Sequence, residues 1–165
     1  FTNKIINFLQ KKSNFLSINV QTNSSNIGYN YITKYTKADY ISIDEPEARL
    51  TVQDNSSSNE KLFYKIRKKI KFCLGAITLG KIGTKIFDNK KIHFAPALID
   101  KPVDTLGAGD AHFAISSFCS KEVKNKEIIA FLGNVAGALK ISYLGHRRYL
   151  NRVEFLNYIK SLLNI

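Results

Sequence analysis

Short apolar runs alternate with segments of helical spacing along the first half of the chain. The runs are rich in Ile, Val, Leu and Phe, as is typical of buried strands, and they occupy residues 15–20, 38–43 and 72–78. The intervening spacing predicts helices at residues 2–12, 30–36 and 60–69, and another from Glu45, where Pro46 suits the first turn. Strands that alternate with helices indicate parallel pairing and an α/β layered fold.

The second half of the chain has a different rhythm. Residues 84–87 and 91–94 flank a polar turn at residues 88–90, which predicts an antiparallel hairpin. Helical spacing then predicts three helices, at residues 109–120, 126–143 and 152–163. In the first of these helices we expect four apolar residues to face inward: Ala111, Phe113, Ala114 and Phe118.

Length and composition favour one compact domain over residues 1–165. The chain has 165 residues, 44% of them hydrophobic, which suffices for a single core. No apolar run is long enough for a membrane span and no signal peptide is recognisable, so we expect a cytoplasmic protein without a membrane partner. The chain begins with Phe1 and contains no Met, which suggests a fragment of a longer protein.

The net charge of +12 raises the question of nucleic-acid binding. The lysines are scattered through a chain crowded with Asn and Ile, a pattern that a biased genome also produces. The densest basic cluster, residues 65–71, lies in a segment whose apolar residues have helical spacing, so it is better interpreted as a solvated helix face. We therefore expect no nucleic-acid partner. Cys73 and Cys119 are far apart, which predicts two reduced thiols and no structural zinc site.

The most informative segment is the glycine motif that opens the helix predicted after residue 107. Gly107, Ala108 and Gly109 let a ligand approach the backbone, and the first turn of a helix offers N–H groups without partners. Such a turn binds anions, and a transferring phosphoryl group is an anion. Asp110 in the same turn could orient a hydroxyl group, although an Asp near a helix start is also common for stability alone.

The surrounding sequence PVDTLGAGDAHFA resembles the D-T-x-G-A-G-D signature of the PfkB-type, or ribokinase-like, carbohydrate kinases. The resemblance implies a ribokinase-like layered α/β/α fold with a mainly parallel sheet, of which this chain is the C-terminal portion only. It also implies ATP-dependent phosphorylation of a sugar or sugar phosphate, with Asp110 as the base and the backbone of Gly107, Ala108 and Gly109 as the anion hole. Asp104 and Thr105 correspond to positions that can hold a monovalent cation such as K⁺ through backbone oxygens.

Two further segments resemble the nucleotide side of these kinases. Thr78, Gly80 and Gly83 match a T-x-G-x-x-G pattern that lies beside the phosphates and ribose of ATP. A turn at a strand end that needs positive φ would explain the same glycines. Asn134 and Gly137 lie in a small-residue helix that resembles the border of the adenine pocket, and close helix packing would explain that helix equally well.

Asp44 and Glu47 lie where the family carries N-x-x-E, a pair that organises Mg²⁺ and phosphate through water. Here Asp replaces Asn, and either group suits a hard cation. An acid-rich helix start is the structural alternative. For the three histidines, His93, His112 and His146, we expect only surface or core positions.

Residues 19–50 and 144–150 are similar to kinase domains that accompany sugar-phosphate nucleotidyltransferases in ADP-heptose synthesis. The resemblance implies a phosphorylated heptose or a related sugar as acceptor and a fused or separate nucleotidyltransferase partner. A homodimer is a further expectation. Complete members of the family are about twice as long, so we expect this chain to be inactive or nearly inactive alone. A non-catalytic member, kept as a binding or assembly module beside a nucleotidyltransferase, is the alternative function.

Overall fold

The computed structural model describes residues 1–22, 25, 27–88, 90–99, 103–142 and 149–165. In chain order these residues form the following helices and strands: α1 (Asn3–Lys12), β1 (Ser17–Asn19), β2 (Lys37–Asp44), α2 (Glu45–Val52), α3 (Asn59–Lys69), β3 (Lys71–Thr78), β4 (Gly83–Phe87), β5 (Ile92–Pro96), α4 (Ala108–Glu122), α5 (Lys126–Ile141) and α6 (Arg152–Leu163). Two short 3₁₀ turns lie at Ile32–Lys34 and Gly80–Ile82. Every predicted helix and strand is therefore present, although the predicted helix at residues 30–36 is only one 3₁₀ turn.

The strands form one sheet in the order β1-β2-β3-β4-β5. The first three are parallel: Ile18 lies opposite Ile41, and Ile41 lies opposite Gly75. Four residues connect β3 to β4 and four connect β4 to β5, too few for a parallel crossover, so these last pairs are antiparallel. The sheet is mixed, with the parallel strands in its first half. This confirms the predicted α/β fold and the hairpin; Asn89 of the predicted turn lies outside the described residues.

The chain forms two compact units. The first consists of Phe1–Thr78 and Lys85–His93. Its core lies between the parallel strands and the helices that connect them, and its largest fully buried side chains include Tyr40, Ile41, Ile43, Leu62, Ile66 and Ile77. Helix α3 buries its apolar residues as predicted and leaves its lysines exposed, which confirms the solvated basic face. Arg67 differs from those lysines, because its guanidinium stacks over the rings of Phe63 and Phe72.

The second unit consists of Leu79–Thr84 and Phe94–Ile165. Helices α4 and α5 pack together in it, and Ile129, Ala130, Val135 and Ala136 of α5 are fully buried. Single-domain organisation over residues 1–165 stays a prediction. Both cysteines are free thiols, as expected, with Cys73 exposed and Cys119 buried. Among the described residues, no helix combines the length and apolar character that a membrane crossing requires.

The predicted inner face of α4 is wrong in part. Ala111 is buried, but Ala114 is exposed and Phe118 is 74% exposed. The buried face instead carries His112, Ser116 and Cys119 along with Ala111. Counting apolar residues misplaced the face because His112 and Ser116 are polar yet find hydrogen-bond partners, which removes most of the penalty for burying them.

Candidate functional site

Helix α4 begins with a backbone geometry that only glycine adopts readily. Gly107 precedes the helix with φ +78°, in the left-handed region, and no side chain of the described residues caps the helix start. The N–H of Ala111 bonds the carbonyl of Gly107 at 3.0 Å. Within the described residues, the N–H groups of Gly109 and Asp110 donate to no hydrogen bond. Of the predicted anion hole, Gly109 thus offers a free N–H group, and the adjoining Asp110 offers a second, at the positive end of a 15-residue helix.

The side chain of Asp110 is exposed in the same first turn of α4. A carboxylate at this position lies close to the positive end of the helix dipole. The exposed start of α4 therefore carries both the Asp110 carboxylate and the free N–H groups of Gly109 and Asp110. Such an arrangement can orient a hydroxyl group on the carboxylate while the N–H groups stabilise negative charge that develops beside it.

The segment before α4 is attached to the end of α5. The N–H groups of Val103 and Asp104 both reach the carbonyl of Ile141, at 2.8 and 3.3 Å. The Asp104 carboxylate accepts from the N–H of Leu106 at 2.9 Å and so closes a small turn. The carbonyl of Thr105 accepts a long bond, 3.4 Å, from the N–H of Ala108. Asp104 and Thr105 are thus fixed in an ordered turn that leads into the anion hole.

Gly137 lies beside the anion hole. A Cβ atom built on Gly137 would stand 3.6 Å from the carbonyl oxygen of Ala108, an ordinary van der Waals distance. Close packing therefore does not require glycine there. Gly133, one turn earlier in α5, is different, because its Cβ would lie 2.6 Å from Nε2 of His112. The structure thus brings Gly137 and Ala108 together, and it explains Gly133 by packing.

The amide of Asn134 is fully occupied inside the second unit. Its Nδ2 donates to the carbonyl oxygens of Ala95 and Pro96 at 2.9 and 2.8 Å, and its Oδ1 accepts from Oγ1 of Thr84 at 2.6 Å. Asn134 therefore links α5 to β4 and β5. Any contribution that it makes to an adenine pocket would come through shape, since both amide hydrogens are already used.

Gly80 and Gly83 both have positive φ, at +57° and +132°, as the strand-end alternative for this motif requires. Gly80 faces open space, whereas a Cβ on Gly83 would come within 2.2 Å of the carbonyl oxygen of Ala95. The N–H of Leu79 bonds the carbonyl of Gly83 at 2.8 Å and closes the turn. The motif thus exposes backbone at Gly80 and packs backbone against backbone at Gly83.

In the first unit, Asp44 and Glu47 form a reciprocal cap on helix α2. Asp44 Oδ1 accepts from the N–H of Glu47 at 2.7 Å, and Glu47 Oε2 accepts from the N–H of Asp44 at 3.2 Å. Glu47 Oε1 also accepts from the N–H of Thr22 at 2.8 Å. Asp44 lies opposite Thr78 in the sheet, so three predicted residues meet at the carboxyl ends of β2 and β3.

Burial raises the pKa of the Glu47 carboxyl above its ordinary value, and the nearby Asp44 charge raises it further. Desolvation also raises the pKa of Asp44. Two carboxylates that resist ionisation side by side would be relieved by a cation, and oxygen donors suit Mg²⁺. Within the described ranges, no group of three or more His, Cys, Asp or Glu side chains could hold a metal.

The residue that sequence patterns missed is His112. Its ring is 4% exposed, with Nε2 at 3.2 Å from Thr84 Oγ1 and Nδ1 at 3.5 Å from Ser116 Oγ. Burial lowers its pKa to about 4, so the ring is neutral at physiological pH. The i, i+4 spacing of His112 and Ser116 was the available signal for a buried polar pair. His93 is also buried, with Nε2 at 3.3 Å from Asp88 Oδ2, and His146 lies outside the described residues.

A pH dependence of stability follows from His112. Its folded pKa, about 4, lies below the ordinary 6.5, so the unfolded chain binds the extra proton and stability falls as pH drops from about 6.5 to about 4. The gap corresponds to about 3 kcal/mol in the free energy of unfolding. Urea unfolding at pH 7.5 and pH 4 should show this loss in the wild type. His112→Gln, which cannot titrate, should lose about 3 kcal/mol less, and equal losses in both proteins would contradict the prediction.

Residues 4–151 match the model of the pfkB family of carbohydrate kinases. The bifunctional protein HldE of Campylobacter jejuni subsp. doylei is 29% identical over 172 residues, which cover 97% of this chain and 36% of that protein. HldE of Helicobacter hepaticus is 27% identical over 132 residues, which cover 78% of this chain and 27% of that protein. This chain thus spans about a third of the length of the curated relatives it matches.

Solved structures with the same fold include two sugar kinases. The ribokinase of Thermotoga maritima has a TM-score of 0.64 and 21% identity over 74% of this chain and 42% of its own. The fructokinase of Vibrio cholerae, solved with fructose, ADP and calcium ion, has a TM-score of 0.63 and 23% identity over 73% of this chain and 41% of its own. Identities this low establish the ribokinase-like fold alone. Because the family model matches most of the sequence, the chain belongs to the pfkB family of carbohydrate kinases.

Proposed function

We propose that this chain is the C-terminal, phosphate-handling part of a single ATP-dependent sugar kinase domain. The observation that carries the proposal is the start of α4, where an exposed Asp110 accompanies the unpaired N–H groups of Gly109 and Asp110. The family assignment supplies the reaction class. In phosphoryl transfer to a hydroxyl group, a carboxylate can orient the acceptor while N–H donors stabilise the transferring group.

In the proposed mechanism Asp110 accepts a hydrogen bond from the sugar hydroxyl group. This bond turns the oxygen of the hydroxyl group toward the phosphorus. Phosphoryl transfer through a loose transition state needs the proton removed only late, so orientation is the main contribution of Asp110. The anion hole at Gly107, Ala108 and Gly109 would stabilise negative charge on the transferring group through the unpaired N–H groups of Gly109 and Asp110. These donors are fixed by the helix before the reaction begins, so no reorganisation opposes the transfer.

The nucleotide would be held by several segments of the chain. Thr78, Gly80 and Gly83 would lie beside the phosphates and ribose of ATP, with the open face of Gly80 allowing close approach. Asn134 and Gly137 would shape the adenine side. Bound Mg²⁺ would neutralise phosphate charge, and Asp44 and Glu47 would hold it through water. The carbonyl oxygens of Asp104 and Thr105 would serve a monovalent cation such as K⁺.

The proposed acceptor is a phosphorylated heptose or a related sugar phosphate. Similarity to the bifunctional HldE proteins supports this choice, as does the surplus of Lys and Arg, which suits an anionic substrate. A fused or separate nucleotidyltransferase would be the partner, and a homodimer is compatible with the proposal. The alternative, a non-catalytic binding or assembly module, would have no physical need for Asp110 and the flanking glycines.

The direct test is transfer of radiolabelled γ-phosphate from ATP by the complete protein to a panel of acceptors. We expect transfer to a phosphorylated heptose to be at least tenfold faster than transfer to ribose or fructose. The reason is that binding interactions with the phosphate that the heptose already carries are worth about 1.4 kcal/mol or more. The 165-residue chain alone should transfer phosphate poorly, because it covers about a third of its relatives. Absence of transfer to every sugar by the complete protein would instead favour the non-catalytic module.

A further inference from the structure

A continuous chain of hydrogen bonds runs through the second unit from α4 to β5. Ser116 and His112 of α4 begin it, Thr84 of β4 continues it, and Asn134 of α5 ends it on the carbonyl oxygens of Ala95 and Pro96. The distances in that order are 3.5, 3.2, 2.6, 2.9 and 2.8 Å. All the residues that form these hydrogen bonds belong to the second unit. We call this chain the His112 network.

The direction of each bond follows from the two carbonyl groups at its end. Carbonyl oxygens only accept, so the amide nitrogen of Asn134 must face Ala95 and Pro96, and its oxygen must face Thr84. The Thr84 hydroxyl group therefore donates to Asn134, which leaves its lone pairs toward Nε2 of His112. The ring consequently carries its proton on Nε2, which donates to Thr84. Nδ1 lies 3.5 Å from Ser116 Oγ, a hydroxyl group that also lies 3.4 Å from the carbonyl oxygen of Phe113.

Three members of the His112 network are shielded from water, whereas Asn134 is half-buried and its bond to Pro96 lies at the surface. Thr84 is 1% exposed, His112 4% and Ser116 0%. When one member of a buried network is removed, the remaining members lose their partners and the full desolvation penalty reappears. Nonpolar residues of similar shape would fill this space without that risk. A buried, directional chain of this kind therefore fixes geometry more tightly than packing alone.

The network joins the elements that carry the proposed phosphate and nucleotide groups. His112 lies two residues after Asp110 in the same helix, and Thr84 directly follows Gly83. Asn134 lies one turn before Gly137, which neighbours Ala108. Among the described residues no side chain caps the start of α4, and the buried ring of His112 lies one turn or less from the carboxylate-bearing residue.

We propose that His112, acting through Thr84 and Asn134, is a positioning residue that fixes the first turn of α4 and thereby the carboxylate of Asp110. This inference rests on the proposed kinase function. The ring contacts neither the sugar nor the nucleotide, and its proton stays on Nε2 throughout. Its effect is to hold Asp110 at the distance and angle that in-line transfer requires, where a shift of about 1 Å can lower the rate about a hundredfold.

The test replaces Thr84 in the complete protein and measures sugar phosphorylation. Thr84→Val keeps the shape and removes the hydroxyl group that connects His112 to Asn134, whereas Thr84→Ser keeps the hydroxyl group. Thr51→Val is the matched control, since Thr51 is also buried and its Oγ1 has no hydrogen-bond partner among the described residues. Rates are compared at a temperature at which circular dichroism shows every variant folded.

We expect Thr84→Val to lower kcat by about tenfold to a hundredfold, with KM for ATP and for the sugar within about twofold of wild type. The kcat of Thr84→Ser should stay within about threefold of the wild-type value, and the kcat of Thr51→Val should equal the wild-type value. In an Asp110→Asn background, Thr84→Val should add little further loss, because the two changes act on the same step. An unchanged kcat in Thr84→Val, or no recovery in Thr84→Ser, would overturn the proposal.

A second pair of variants keeps the test decisive if Thr84→Val does not fold. His112→Gln retains an N–H donor toward Thr84, whereas His112→Leu removes it, so kcat should be lower in the Leu variant than in the Gln variant. Equal kcat values in that pair would also overturn the inference. Failure of the kinase function itself has a different signature: the wild type and Asp110→Asn would then show the same lack of sugar phosphorylation.

Discussion

Asp110→Asn in the complete protein is expected to lower kcat for sugar phosphorylation by about 10³-fold, within the range typical of a lost general base. Asparagine has nearly the same shape, but its amide cannot take the proton of the acceptor hydroxyl group. The KM values for ATP and sugar should change little, because Asp110 is proposed to act on the transition state more than on substrate binding. Initial rates over a matrix of ATP and sugar concentrations provide the measurement.

The control for this change is Glu122→Gln at the opposite end of α4. Glu122 is exposed and its contact with Lys121 is 3.7 Å, so the variant removes one negative charge from the same helix without touching the anion hole. Its kcat should equal that of wild type. Asp110→Asn should also cost no more than about 1 kcal/mol of stability, the usual size of a helix-dipole effect. A variant that retains wild-type kcat would exclude Asp110 as the base.

Gly83→Ala is expected to destabilise the protein by about 4 kcal/mol. The added Cβ would lie 2.2 Å from the carbonyl oxygen of Ala95, and φ is +132°, which L side chains rarely adopt. The neighbouring atom is backbone within β5, so relief of the contact requires the hairpin to shift. Strain and steric overlap together place this substitution among the most damaging that single replacements produce.

Gly80→Ala, in the same motif, is the matched control for this effect. Gly80 also has positive φ, at +57°, but a Cβ there would meet nothing within 4 Å. Gly80→Ala should therefore destabilise the protein only through the strain of a positive φ, by about 1–2 kcal/mol. Urea unfolding of both variants gives the comparison. If Gly83→Ala were no more damaging than Gly80→Ala, the close approach of Ala95 would not determine the choice of glycine at position 83.

The fold was largely predictable because its elements are encoded locally. The apolar runs gave the strands β2 and β3 within one residue at each end, and Pro46 marked the start of α2. A short apolar run does not indicate which other strands will lie beside it. The order of the strands in the sheet therefore came only from the structure. The inner face of α4 was misjudged because burial of His112 depends on Thr84, which is 28 residues away in sequence.

In the candidate site, too, local features were predictable and long-range contacts were not. Gly107 and the unpaired N–H groups behind it follow from local chain geometry and were anticipated from the motif. The role of Asn134 was not anticipated, since its three hydrogen bonds reach residues 38 to 50 positions away. Sequence patterns of period two or 3.6 carry no information on such distant partners. Residues 144–148, which contributed to the heptose hypothesis, lie outside the described residues.

Gly133 has a consequence for how this helix pair can evolve. The ring of His112 occupies the space that a side chain at position 133 would need, since a Cβ there would stand 2.6 Å from Nε2. A mutation to alanine at position 133 is therefore tolerable only after the histidine has been replaced by something smaller, and the reverse order leaves a cavity. Among relatives of this chain, the two positions should covary: glycine at 133 wherever a ring stands at 112, and larger residues only where it does not.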